Sequence, residues 1–145
     1  MKNGLIWCFA LAGCIAFAGA AATADDFGIP SYPGATSDAE AKEVCSQPEM
    51  GIIKERAEKS GLKVSKKCYR TKDPFAKVVA FYKGQKGFQG GVIVDEQDTK
   101  SANYCRGTCN EVSVGTAVAI TAPWFVPSNF KMNKDLLIVI TDRKK

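Results

Sequence analysis

Four cysteines, Cys45, Cys68, Cys105 and Cys109, constrain this chain most, because they follow a segment that reads as an export signal. That segment, MKNGLIWCFALAGCIAFAGAAATA, carries Lys2, an apolar run from Leu5 to Ala22, and small residues at Ala22 and Ala24 ahead of Asp25 and Asp26. A basic start, an apolar core and small residues before a polar junction are the marks of a secretory signal peptide. Cleavage after Ala24 is expected, leaving a mature chain of 25–145. The apolar run is crowded with Ala and Gly, and no basic stop-transfer cluster follows it, so a retained membrane span is disfavoured. Leu11-Ala12-Gly13-Cys14 offers a second form of processing, a lipobox in which Cys14 is acylated and anchors the protein. Against it, the apolar core before Cys14 would be only about eight residues, short for such a region. The residues after Cys14 also stay apolar rather than opening into a polar tether.

Cys8 and Cys14 leave with the signal, and an even number of cysteines in an oxidising compartment argues for two disulfides. Four cysteines allow three pairings. The reading adopted joins Cys45 to Cys68 and Cys105 to Cys109, since only Arg106-Gly107-Thr108 separates the last two. Chain entropy gives such a short loop about 2 kcal/mol and the longer one about 3.4 kcal/mol. A zinc site would want a second close Cys or His pair, and the chain has neither that pair nor any His. A thioredoxin-type centre would need C-x-x-C, which is missing. No cofactor or metal is expected. Structural staples remain.

After position 24 the chain holds 19 basic and 15 acidic residues, a net +4. The lysines are spread along the chain, apart from short clusters at Lys63-Lys66-Lys67 and Arg143-Lys144-Lys145. A nucleic-acid binder concentrates its charge on one face or helix. The spread here reads as solvated surface, with weak attraction to an anionic envelope surface as its one functional implication.

No repeat or long linker interrupts 25–145, which reads as one domain with a modest core. Residues 25–36 are turn-rich, with Pro30, Pro33 and Gly34. Ser37-Asp38-Ala39-Glu40 has capping-box spacing and predicts a helix over 38–45. A second helix over 48–59 places Met50, Ile53 and Ala57 on one face, weakened by Gly51 and stopped by Gly61. Leu62 to Thr71 reads as a strand with Cys68 and Tyr69 on opposite faces. Asp73 then caps a helix that starts at Pro74, with Phe75, Val78, Val79 and Tyr82 in an i, i+3, i+4, i+7 stripe. Gly91–Val94, Ala102–Cys105, the alternating Val112–Ile120 and Leu136–Thr141 read as strands, the middle two joined by a turn at 106–108. Helices followed by short strands predict an α+β fold: an antiparallel sheet of four to five strands with two or three helices on one face. Ser113, Gly115, Ala117 and Ala119, opposite larger residues, fit a sheet with one thickly covered face.

Catalysis finds little footing. Without His, the commonest general base and any Ser-His-Asp or Cys-His machinery are excluded. No nucleophile-elbow, zincin, phosphate-loop or dinucleotide pattern occurs. Asp95, Glu96 and Asp98 form a small acidic cluster, but it lacks the spacing and glycine of a calcium loop. A carboxylate pair that meets only in space would escape this reading. The best interaction segment is Ala122-Pro123-Trp124-Phe125-Val126-Pro127, where bulky aromatics sit between two prolines. Trp124 and Phe125 are expected to plug one end of the sheet, with an exposed contact loop as the rival.

Tyr32-Pro33-Gly34-Ala35, Cys68-Tyr69-Arg70-Thr71-Lys72-Asp73, Val78-Val79-Ala80-Phe81-Tyr82-Lys83 and Ala122-Pro123-Trp124 together carry a resemblance. With them the chain resembles a group of small exported bacterial proteins of unknown function. In that group a Tyr-Pro-Gly-Ala turn precedes an extended Tyr-x-Thr segment and a helix bearing Phe-Tyr-Lys. The resemblance implies a bacterial envelope setting and a compact α+β domain, and brings no known active site. Two function classes follow: a non-enzymatic binding or accessory module with an envelope partner, or a small carboxylate-dependent hydrolase. Neither involves nucleic acid or stable membrane insertion after signal cleavage.

Overall fold

The computed structural model describes residues 25–48, 52–109 and 113–145. The signal segment with Cys8 and Cys14, the helix positions Met50 and Gly51, and Val112 lie outside the described residues. In chain order the elements are β1 Asp25–Asp26, β2 Ile29–Pro30, α1 Ala39–Ser46, α2 Ile52–Lys59, β3 Lys63–Thr71 and α3 Phe75–Lys83. They continue with β4 Phe88–Asp95, β5 Lys100–Gly107, β6 Gly115–Ala122, β7 Trp124–Val126, β8 Lys131–Asn133 and β9 Leu136–Lys144. Five strands form one antiparallel sheet in the order β3-β9-β6-β5-β4, and the fold is α+β as expected. The last strand in sequence is central in space, which is why Leu136-Leu137-Ile138-Val139-Ile140 is apolar without a break: it is covered from both sides.

Side chains alternate across a strand, so β9 supplies both faces. Leu136, Ile138 and Ile140 join Val118, Ile120, Ala102 and Tyr104 under α3, whose Phe75, Val78 and Tyr82 are the buried part of the expected stripe. Leu137 instead packs with Cys68, Trp124, Val126 and Ala41 of α1. The helices are therefore divided between the two faces rather than gathered on one. The disulfide Cys45–Cys68 ties α1 to the face that carries Cys68, while the stripe of α3 matches the face carrying Ile138 and Ile140.

The turn-rich 25–36 segment hides a short hairpin, β1 with β2, lying on the α3 face. Its Asp26 is almost fully buried and accepts hydrogen bonds from Lys67 Nζ and Tyr69 Oη of β3. Burial, with this carboxylate beside it, pushes the Tyr69 hydroxyl well above its usual range. Two caps differ from expectation. Asp38, not Ser37, caps α1 by accepting from the Ala41 N–H at 2.9 Å. Asp73 does not cap α3, which begins at Phe75 behind Pro74 with no side-chain cap. The Asp73 carboxylate is occupied instead by Tyr32 Oη at 2.6 Å and Lys77 Nζ at 2.8 Å.

The strands run longer than the sequence marks them. β5 ends at Gly107 opposite Gly115, so the connection to β6 spans 108–114 rather than a three-residue turn. The disulfide Cys105–Cys109 ties the end of β5 to that loop. β4, at one edge, carries a bulge between Val92 and Val94. At Gly90 a side chain would collide with the Asn103 carbonyl, so two strand backbones approach there as only glycine allows. On the α1 side, Asn103, Cys105, Ala117, Ala119, Thr141 and Arg143 line an open groove of about 520 Å³. The small residues of β6 thus face that groove, and the large ones face α3.

Candidate functional site

Arg70 organises the α1 face. β3 places it one residue past Tyr69, hence on the side opposite the main core, near the N-terminus of α1. Its Nε donates to Asp135 at 2.7 Å, and one terminal nitrogen donates to Asp38 at 3.0 Å and Glu40 at 2.7 Å. Its guanidinium also lies 4.9 Å from the Trp124 ring centroid. A planar fork with several donors suits this many-sided contact, which a lysine could not reproduce. The Asp135 hydrogen bond, then those to Asp38 and Glu40, raise the Arg70 pKa further still. Trp124 closes the ring by donating from Nε1 to the same Asp135 at 3.2 Å.

Pro123 follows a cis peptide bond after Ala122, and from it the chain enters a second hairpin, β7 with β8, that the sequence reading left out. Trp124 and Val126 point inward and are buried, while Phe125 between them is 43% exposed. Of the two aromatics expected to plug the sheet, Trp124 is buried and Phe125 is not. Alternation over three residues separates the two aromatics, and Phe125 faces its cross-strand partner Met132 on the outer side. Phe130, in the turn, is 83% exposed and meets the Phe125 ring edge-on at 6.1 Å between centroids. Phe125, Phe130 and Met132 form one outward apolar patch.

The hairpin is fastened from beneath. Glu43 of α1 accepts from the Ser128 N–H at 2.7 Å and from its hydroxyl at 2.6 Å. Glu40 accepts from Lys131 Nζ at 2.9 Å and from Asn133 Nδ2 at 3.1 Å, besides Arg70. Hydrogen bonding by Lys131 above all, aided by Arg70 and Asn133, holds the Glu40 carboxyl down at about 2. Since α1 is itself joined to β3 by Cys45–Cys68, disulfide, arginine node and hairpin form one continuous support.

Beside the patch, a cleft of about 480 Å³ has Met132, Pro123, Phe75 and Leu136 among its walls, with Lys72, Lys100 and Lys134 around it. Lys100 is paired with Asp95. Lys72 and Lys134 are exposed and have no ion-pair or hydrogen-bond partner among the described residues. Asp98 lines the same cleft.

The other sequence candidates fall elsewhere. Asp95 ends β4, and Glu96 and Asp98 follow in the exposed β4–β5 turn, closed by the Glu96 N–H to the Thr99 carbonyl at 2.9 Å. Among the described residues no three metal-ligating side chains converge. The clustered carboxylates Asp38, Glu40 and Asp135 all bond to Arg70, and a Glu40 held at about 2 retains no proton to donate at neutral pH. Cys14 lies outside the described residues. Arg70, Phe130 and Met132 escaped sequence reasoning. For Arg70 the only trace was its place beside Cys68 and Tyr69, and Phe130 was lost in a polar turn. No known protein family, curated protein or solved structure matches this chain.

Proposed function

We propose that this is an exported cell-envelope protein acting as a non-enzymatic binding or accessory module, and that the outer side of the β7–β8 hairpin is its contact surface. One observation carries the reading: three exposed apolar side chains sit on a hairpin whose Trp124 and Val126 are buried and whose Ser128, Lys131 and Asn133 are bonded to α1. Exposed, contiguous apolar residues on a soluble-type domain mark interaction sites, and a contact surface fixed beforehand loses less entropy on binding. Export is supported by the signal-like first 24 residues and by two cysteine pairs at bonding distance. The buried Asp26 adds to it, since the chain just past the expected cleavage point belongs to the fold. No helix among the described residues is long and apolar enough to cross a membrane. The resemblance to small exported bacterial proteins agrees with this setting. A hydrolase has less support, because the grouped carboxylates are consumed by Arg70 and Lys131.

Retention of the purified chain on an envelope fraction tests the proposal. Phe130→Asn should release it, while Val92→Ser, a change at an exposed apolar residue of β4, should not. Retention indifferent to Phe130 would remove the hairpin from the function.

A further inference from the structure

The two disulfides sit in opposite surroundings. Cys68 is 2% exposed within the apolar group under α1, and Cys45 packs against that group, so a dissolved thiol meets little of this pair. Cys105 and Cys109 belong to neither apolar cluster of the described residues. Cys105 closes the end of β5, and Cys109 stands exposed on the connection to β6. Only Arg106-Gly107-Thr108 separates them, and by chain entropy so short a loop contributes the less of the two to the fold. Exposed disulfides are the ones that exchange. Both cysteines also line the groove of about 520 Å³ that the small side chains of β6 leave open on the α1 side. Arg143 is the one charged residue among those lining it, and it has no ion-pair or hydrogen-bond partner among the described residues. Asp142, the nearest carboxylate in sequence, lies on the opposite face of β9 and pairs with Lys144 at 2.9 Å. The register aims Arg143 at the pair. It lies opposite Gly115, and Gly115 lies opposite Gly107, two residues before Cys109. The two glycines leave that row of the sheet bare, so no side chain of the row stands between Arg143 and the disulfide loop.

We propose that Cys105–Cys109 is a thiol–disulfide exchange site whose substrate, a thiol carrying a carboxylate, is received in this groove. The incoming thiolate attacks Cys109 Sγ, the exposed sulfur. The S–S bond breaks, and Cys105 leaves with the electron pair and takes a proton from water. A second thiolate then attacks the substrate sulfur of the mixed disulfide, and Cys109 departs in the same way. Two substrate thiols are thereby joined as a disulfide, and the protein gains two electrons and two protons. The end of β5 is untied from the connection to β6. Arg143 pairs with the substrate carboxylate and holds the reagent over the pair. The protein is a reactant here, since a catalyst of the thioredoxin kind uses the closer C-x-x-C spacing. The groove shares no residue with the β7–β8 patch, so this site stands or falls apart from the contact surface proposed above.

Exchange followed by alkylation and peptide mass mapping tests this, on the chain purified from its producing cell with both pairs oxidised. Mercaptoacetate at neutral pH, without denaturant, should open Cys105–Cys109 and leave Cys45–Cys68 closed. Cysteamine, with an ammonium in place of the carboxylate, is the comparison thiol. The two reagents differ in intrinsic reactivity, which cancels when the ratio of their rates is compared between variants. Arg143→Gln should lower the ratio of mercaptoacetate to cysteamine about threefold, the scale of one exposed charge pair. Arg143→Lys should keep most of it. Added salt should lower the ratio in the parent and leave it unchanged in Arg143→Gln. Both variants should melt as the parent does, since Arg143 has no partner to lose. Opening of Cys45–Cys68 first or together with the other pair would overturn the proposal. So would a Cys105–Cys109 bond that opens only in denaturant, or a ratio indifferent to Arg143.

Discussion

The two faces of the sheet are held in different ways. Under α3, thirteen buried apolar residues among those described close over one another, and polar contacts play their part at the margin, where Asp26 latches the first hairpin. Under α1 the buried apolar set among the described residues is five, and Arg70, its three carboxylates, the Trp124 ring and one disulfide join it. The first face works by area removed from water, which tolerates substitution of one apolar residue by another. The second works by directional bonds converging on one guanidinium, in which each partner depends on the others. Rigidity without a large core is the consequence, and it lies on the side that carries the hairpin.

The sharpest way to break this contrast is Trp124→Ala. Truncation of a buried aromatic costs about 3–5 kcal/mol, and it also leaves Asp135 without its indole donor. Melting should fall by more than about 10 °C at a few degrees per kcal/mol. A drop under about 2 °C would show the α1 face to be ornament on a domain held by α3 alone.

Next in size is the loss of Cys45–Cys68 by Cys45→Ala with Cys68→Ala, expected to cost about 3.4 kcal/mol against about 2 kcal/mol for Cys105–Cys109. The order should appear in denaturant midpoints at fixed m-value. Equal losses would mean that the tie between α1 and β3 adds nothing beyond loop length. Non-reduced peptide mapping should find both pairs, and alkylation of Cys105 or Cys109 in the native protein would refute the second.

The smallest effect is a matter of pH. The Glu40 carboxyl is held down at about 2 against an ordinary 4.5, so its stabilisation is fully present above the unfolded value. It is lost as pH falls from about 4.5 towards about 2. Glu40→Gln should therefore flatten the acid limb of stability in that window and little else. An unchanged limb would show that the carboxylate is dispensable to the node.

Much of the first face was legible because its signals are periodic. The Phe75, Val78, Tyr82 stripe and the alternation of β6 state which side is buried. The second face was not, since its elements announce themselves by contacts far apart in sequence: Arg70 meets Asp135 across 65 positions, and Lys131 meets Glu40 across 91. Asp73 illustrates the same limit in reverse. Its spacing promised a cap, and Tyr32, 41 positions away, claimed the carboxylate. The interaction segment was found by its prolines, yet which of its aromatics faces water depended on a three-residue strand too short to carry a pattern.

The bulge in β4 has a consequence for how many copies of this molecule can share a small space. A sheet that ends in a straight, bare strand invites another to pair with it, and the chain would grow into a fibre one molecule at a time. Here Val92 and Ile93 are exposed on that very strand, the sort of residues that would reward such stacking. The extra residue between Val92 and Val94 puts the row of free amides and carbonyls out of step. At the far edge Lys63 and Lys67 stand exposed along β3, and Thr36 occupies the main-chain bonds of Arg70. The bulge interrupts one border, and Thr36 with the exposed lysines interrupts the other, devices that work against strand addition at either edge.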